Sequence, residues 1–246
     1  MSNGASSREK VLESIRKATP EAAASAEVRE QSYAALPRNY LRRGTMDANE
    51  RVERMIERLR EYDAEVVECP PRELPAAIAS RLKASGRQTF VTPAGVPAEW
   101  MAPGFEWKID RELSVGEVEQ TDGVLTGAFC GIADSGTIVL HHGPLEGRRV
   151  LTLLPDWHLC VLRASQVVEA LPEYFARCEV APALVTWISG PSATADIEMT
   201  RIKGVHGPRF LDVIVVRDET LSRSDFGTTE NRPRVPEAGP GAPSLN

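Results

Sequence analysis

The 246-residue chain lacks any apolar run near the roughly 20 residues that a membrane-spanning helix needs. Its amino terminus, MSNGASSREK, lacks the apolar core of a secretory signal, so a cytoplasmic location is expected. Lysine is scarce: five of the 29 basic residues. The net charge of −6 argues against nucleic-acid binding, which leaves a basic footprint. Cysteine is also sparse. Cys69, Cys130, Cys160 and Cys178 form no C-x-x-C pair and no Cys/His ligand spacing, so they are read as buried reduced thiols. No zinc site, iron–sulfur cluster, disulfide framework or other metal site is expected in this chain. There is no G-x-G-x-x-G and no internal repeat.

What is present is an α/β pattern. Residues 7–17 read as a short amphipathic helix, followed by a small, polar stretch read as an exposed connector. Residues 47–62 are the clearest helix: Val52, Met55, Ile56 and Leu59 fall at i, i+3, i+4 and i+7, with Asp47 as N-cap. AEVVEC reads as a strand and residues 72–84 as a helix with Leu74, Ile78 and Leu82 on one face, ended by Gly86. QTFVTP is the next strand. This alternation implies parallel pairing with right-handed crossovers. VLTGAFCGIA, GTIVLHH, RVLTLLP and HLCVLR read as strands. Residues 165–178 read as a helix with Val168, Leu171, Phe175 and Cys178 near one face. ALVTWIS and FLDVIVV read as strands buried on both sides. The fold class is therefore α/β with a mostly parallel central sheet flanked by helices. Three regions are expected: an N-terminal helix and connector (1–45), an α/β domain (46–220) and a polar Pro/Gly-rich tail (221–246) that cannot bury enough apolar surface to fold alone.

Three loops concentrate small and polar residues. The first holds Asp134, Ser135, Gly136 and Thr137. It is neither a P-loop nor a nucleophile elbow, because Thr137-Ile138 follows the second glycine and Ala133 stands where G-x-S-x-G needs glycine. It reads as a tight turn with Gly136 at positive φ and an Asx-turn at Asp134, or as an anion nest using Ser135 and Thr137. The second holds Gly190, Ser192, Thr194, Asp196 and Glu198, between a strand ending at Ile188 and a helix expected near Thr194. That placement is the carboxyl edge of a strand and a helix N-terminus, where α/β sheets bind ligands. Asp196 and Glu198 would cap their own helix, or one would face the cleft as a base or grip a hydroxyl or a metal. The third is Gly204 to Arg209. His206 lies between glycines and is the group there suited to titrate near neutral pH, and Gly207 adds backbone freedom. Arg209 would hold a carboxylate or pair with Asp212. Asp196, Glu198 and His206 are the catalytic candidates; Ser135, Gly136, Thr137, Gly190, Ser192, Thr194, Gly207 and Arg209 are the ligand-binding candidates.

Other polar residues read as structural. His141 and His142 are adjacent, so on a strand they face opposite sides and share no metal. His158 reads as packing at a strand entrance. Arg148 and Arg149 read as a surface turn, with the option that one meets an anion.

Taken in order, GVLTGAFCGIADSGTIVL (123–140), RRVLTLLPDWHLCVL (148–162) and ISGPSATADIEMTRIKGVHGPRFLDVIVV (188–216) resemble the LUD-domain family of lactate-utilisation protein C (LutC/YkgG). The resemblance runs from about residue 47 to 217. Its most specific segments are S-G-P-S-x-T-A-D-I-E and G-V-H-G-P-R. Between Ser192 and Thr194, where many relatives carry Arg or Lys, this chain has Ala193. That leaves the loop without a basic side chain of its own. The resemblance implies a fold akin to the NagB/RpiA/CoA-transferase group. It also implies a role in oxidising L-lactate to pyruvate with iron–sulfur partner proteins, the clusters residing in those partners. It carries over no catalytic residue set. The alternative is a stand-alone enzyme or sensor of a small organic or phosphorylated anion, like the CoA transferases, isomerases and folate cyclo-ligases of that fold group.

Overall fold

The computed structural model describes residues 7–18, 26–37, 39, 42–178, 180, 182–194, 202–204 and 206–217. The chain divides into two compact units, Met1–Leu41 and Arg42–Asn246. The first holds helix α1 (Ser7–Ala18), with no buried residue, and helix α2 (Ala26–Ala34). The second helix replaces part of the expected connector. Ala, Glu, Arg and Gln dominate it and no Gly or Pro interrupts it, so its propensity is helical although its described side chains are exposed.

The second unit opens with α3 (Ala48–Glu61). A capping box between Asp47 and Glu50 starts it, and Val52, Met55, Ile56 and Leu59 are buried, as the periodicity predicts. After it come β1 (Glu65–Cys69), α4 (Leu74–Ser85), β2 (Thr89–Pro93), β3 (Glu106–Asp110), α5 (Val115–Glu119), β4 (Gly123–Thr126), β5 (Cys130–Ile132), β6 (Thr137–Leu140), β7 (Trp157–Arg163), β8 (Val167–Val168), α6 (Leu171–Arg177), β9 (Thr186–Ile188), β10 (Ala193–Thr194), β11 (Ile202–Lys203) and β12 (Phe210–Val216). Gly86 ends α4 in the left-handed region. Six strands form a parallel sheet in the order β1-β12-β7-β4-β2-β3. Four form a mixed sheet, β8-β5-β6-β9, and β10 and β11 form a short antiparallel pair.

Strand period two sorts the core. On β7, Trp157, Leu159 and Val161 meet α4 and its neighbours on one face of the parallel sheet. Cys160 and Leu162 meet α3 and the inner face of the mixed sheet on the other. The outer face of the mixed sheet packs Cys130, Ile132 and Val139 against Tyr174 of α6. Each fully buried Leu or Ile here contributes about 1.5–3 kcal/mol. β12 has six consecutive buried residues, as expected for a central strand. Cys69, Cys130 and Cys160 are buried free thiols and Cys178 is half-buried.

Four expectations need correction. Residues 165–178 are not one helix: a 3-10 turn, β8 and then α6 occupy them, because Pro172 near the start of α6 sets a new helix and Val167 and Val168 are claimed by pairing with β5. In α6 it is Tyr174 that is buried, while Leu171 and Phe175 are exposed. RVLTLLP is a 3-10 turn (Arg149–Thr152), since both long edges of β4 are already occupied by β2 and β7. β9 is an edge strand with Trp187 on the surface, not a strand buried on both sides. β3 and α5 went unread, although Ser114 and Glu117 form a capping box.

Candidate functional site

The first loop leaves β5, makes a 3-10 turn at Ala133–Ser135 and enters β6 through Gly136, at φ 60°. Gly136 abuts α3 so closely that a Cβ would lie 2.6 Å from that of Arg58. The tight turn with Gly136 at positive φ is therefore present. The hydroxyls form a chain: Ser135 Oγ lies 2.7 Å from Thr137 Oγ1, which lies 2.8 Å from Ser189 Oγ. This chain ties the first loop to the second.

The second loop continues β9 through Ser189 and Gly190. Gly190 has φ 86°, and a Cβ there would stand 2.6 Å from Tyr62 Cβ. Ser192 then binds the second loop to the third. Its N–H donates to the Pro208 carbonyl (2.9 Å), its carbonyl accepts from Gly204 N–H (2.9 Å), and its Oγ accepts from His206 N–H (3.0 Å). The helix expected near Thr194 does not start there. Ala193 and Thr194 pair antiparallel with Lys203 and Ile202, because the Ser192 contacts set two extended segments side by side. Ala193 and Thr194 thus offer no helix N-terminus, and residues 195–201 lie outside the described residues. Asp196 and Glu198 lie outside the described residues.

The second and third loops meet at a cavity of about 240 Å³. Gly190, Ser192, His206 and Gly207 line it, together with Ser189, Thr186 and Leu211. Ser135, Gly136 and Thr137 do not; they stand behind Ser189. His206 is exposed at the rim. Arg209 donates from Nε to Asp156 Oδ1, not to Asp212, and stands outside the lining. Asp212 is taken instead by Arg81 (Nε to Oδ2, 2.8 Å) and by Trp157 Nε1 (3.0 Å). Burial pushes the Asp212 carboxyl up, and Arg81 opposes the shift.

The cavity sits over the amino ends of β7 and β12, where His158 is paired in register with Leu211. That corrects the expectation that the site lies at a carboxyl edge of the parallel sheet. β9, which carries the loop, belongs to the mixed sheet, so the end-of-strand rule applied to the wrong sheet.

Two further residues line the cavity: His158, which reads as packing in the sequence, and Arg149, which reads as a surface turn with the option of meeting an anion. His158 is 1% exposed, and its Nε2 lies 2.8 Å from Thr126 Oγ1. Burial pushes its pKa down to about 4, so the ring is neutral near pH 7. Its sequence signal is a polar residue at an inward position of a strand buried on both faces, which must find a partner. Arg149 brings a guanidinium to the lining. Its Nη1 makes only long contacts to Thr152, at 3.3 and 3.4 Å, and it has no ion pair among the described residues. Arg148, beside it, is bound by Asp110, which holds that carboxyl below its usual range. No carboxylate lines the cavity among the described residues. His141 and His142 go to separate partners, Tyr174 and the Gly147–Thr186 pair. Among the described residues no cluster of three His, Cys, Asp or Glu is placed to hold a metal, and no helix is long and apolar enough to cross a membrane.

The LUD domain family model matches residues 52–216. The "Lactate utilization protein C" of Deinococcus radiodurans is 43% identical over 167 residues, covering 65% of this chain and 76% of that protein. The protein of the same name from Bacillus subtilis is 33% identical over 124 residues, 47% of this chain and 51% of its own. The Escherichia coli "Uncharacterized protein YkgG" is 35% identical over 112 residues, 43% of this chain and 48% of its own. The match thus spans about half the length of the latter two relatives. A crystal structure of a DUF162 family protein from Deinococcus radiodurans superposes with a TM-score of 0.60 at 36% identity, covering 70% of this chain and 99% of that one.

Proposed function

The chain belongs to the LUD-domain family, and from that premise we propose that it serves lactate utilisation by binding a small organic anion in the Arg149 cavity. The relatives named for lactate utilisation support the process. The observation that carries the ligand class is Arg149: a guanidinium without an ion pair, in a lining without a carboxylate, among the described residues. Such a site attracts an anion and matches a carboxylate bidentately. Its size suits a small ligand. At about 240 Å³ it falls below the roughly 300–1,000 Å³ of pockets that enclose drug-sized ligands. In this reading the two electrons of lactate oxidation pass to iron–sulfur clusters in partner proteins, and this chain supplies binding.

Calorimetric titration of the full chain with L-lactate, pyruvate, acetate and inorganic phosphate tests the ligand class. A small carboxylate binds, and Arg149→Met weakens it by about tenfold or more, the loss of one charge-assisted contact. Binding of none of these carboxylates, or equal binding by Arg149→Met, overturns it. The division of labour is tested by adding iron–sulfur partner proteins from the same cell: lactate oxidation depends on both. A second reading, a stand-alone enzyme or sensor of an organic or phosphorylated anion, draws on the fact that one compact unit supplies every described lining residue. Turnover of L-lactate by this chain alone with an artificial electron acceptor would favour the enzyme.

A further inference from the structure

Three consecutive residues of β9, Thr186, Trp187 and Ile188, line the cavity. Side chains of neighbouring strand residues point to opposite faces of a sheet, so a cavity that meets three in a row runs along the edge of the strand. β6 occupies one edge of β9, and β9 ends the mixed sheet, so the edge on the cavity is the free one.

The ladder tells which main-chain groups that edge presents. In an antiparallel strand the N–H and C=O of one residue point to the same side, and two residues directly opposite either exchange both bonds or point away from each other. The Val139 carbonyl accepts from Phe129 N–H (3.0 Å), on the β5 side. Val139 therefore directs its main-chain groups to β5. Trp187 lies opposite Val139, so its own N–H and C=O point away from β6, along the free edge. Neither has a hydrogen-bond partner among the described residues. Thr186 and Ile188, opposite Leu140 and Ile138, hold β9 to β6. The strand is Thr-Trp-Ile, without the charged residues or proline that close many edges to a further chain.

We propose that this edge and the cavity together receive the carboxyl end of an extended peptide from another protein, which pairs with the main chain of Trp187 and places its terminal carboxylate on Arg149. This rests on the reading of Arg149 as an anion-binding group and adds a second class of occupant. Addition of a strand to an open edge supplies affinity through the main chain. Charge supplies the direction: Arg149 has no ion pair and the lining no carboxylate among the described residues, so a negative chain end fits and a peptide amide does not. At about 240 Å³ the cavity suits the end of such a chain, and the preceding residues run along β9 beside the half-exposed Trp187 ring. A small acid without an amide reaches Arg149 and leaves the N–H and C=O of Trp187 to water.

The test compares N-acetyl-dialanine, its carboxyl-terminal amide and acetate by calorimetric titration of the full chain. N-acetyl-dialanine binds about tenfold or more tighter than acetate, the gain from added main-chain hydrogen bonds, and tighter than its amide. Trp187→Pro removes an N–H that β6 does not use, so it erases the gain over acetate while acetate affinity persists, and Trp187→Ala, which keeps the N–H, retains the gain. Because the proline variant can fail to fold, amide hydrogen exchange of the unaltered protein reads the edge directly. The Trp187 amide exchanges fast alone and slows with N-acetyl-dialanine, while the Ile188 amide is slow in both. A slow Trp187 amide in the free protein means that the edge is already taken, by this chain or a second copy, and overturns the proposal. Equal binding of the acid and its amide overturns the role of the chain end. N-acetyl-dialanine no tighter than acetate removes the peptide and leaves the anion site standing, and binding of neither acid removes both.

Discussion

The two sheets of the second unit handle polar groups in opposite ways. The parallel sheet buries its few polar side chains and pairs each one. Asp212 is held by Arg81 and Trp157, and Thr126 and His158 hold each other. The mixed sheet ends in an exposed edge strand, and its polar groups join loops to loops: Ser189 through Thr137 to Ser135, and Ser192 to the segment 204–208. One sheet supplies a stiff floor whose groups cannot reorient cheaply, and the other a wall stitched from glycines and hydroxyls. The cavity forms where they meet. The cavity thus combines a floor of paired buried groups with a wall that shapes the entrance.

The sharpest break of this contrast is Asp212→Ala. It leaves Arg81 and the Trp157 N–H without their acceptor, and it should lower unfolding free energy by about 3–5 kcal/mol in urea titration. A loss below about 1 kcal/mol would mean that the floor is not held by its buried pairs. Gly190→Ala tests the wall. The left-handed backbone and the 2.6 Å approach to Tyr62 predict a loss of about 1–3 kcal/mol and a weakened carboxylate affinity. If Tm falls but affinity is untouched, the wall supports the fold alone. The smallest effect belongs to Asp110→Asn on the edge strand β3. Arg148 depresses the folded-state pKa of Asp110, so its stabilisation is present above the unfolded value and is lost as pH falls through the folded value. Because Arg148 is 47% exposed, the contribution stays below about 1 kcal/mol, read as a shallower loss of Tm on acidification.

Much of the floor was legible in advance. Helices α3 and α4 follow from 3.6-residue periodicity with an Asp47 cap and a Gly86 stop, and β7 and β12 follow from unbroken apolar runs. The wall was not. Residues 193–194 read as helical because small residues precede acids there, yet Ser192 ties its loop to the segment 204–208 and leaves a strand pair. His158 reads as packing, because a single histidine in an apolar strand shows neither its partner nor the cavity it lines. Arg149 cannot be told from Arg148 by sequence. Asp110, 38 positions away, takes one and leaves the other.

By itself the sequence determined the α/β class, the elements of the parallel sheet and the three loops where polar residues gather. Those depend on local periodicity and on the conformational limits of single residues, which neighbours in the chain already express. Only the tertiary structure decided that the second and third loops close over the amino ends of β7 and β12, that His158 lies beneath them, and that Arg149 is left without an ion pair among the described residues. Those outcomes turn on which side chain finds a partner across more than thirty residues of chain, as Thr126 and His158 do. Such pairing is a property of packing, and no local pattern encodes it.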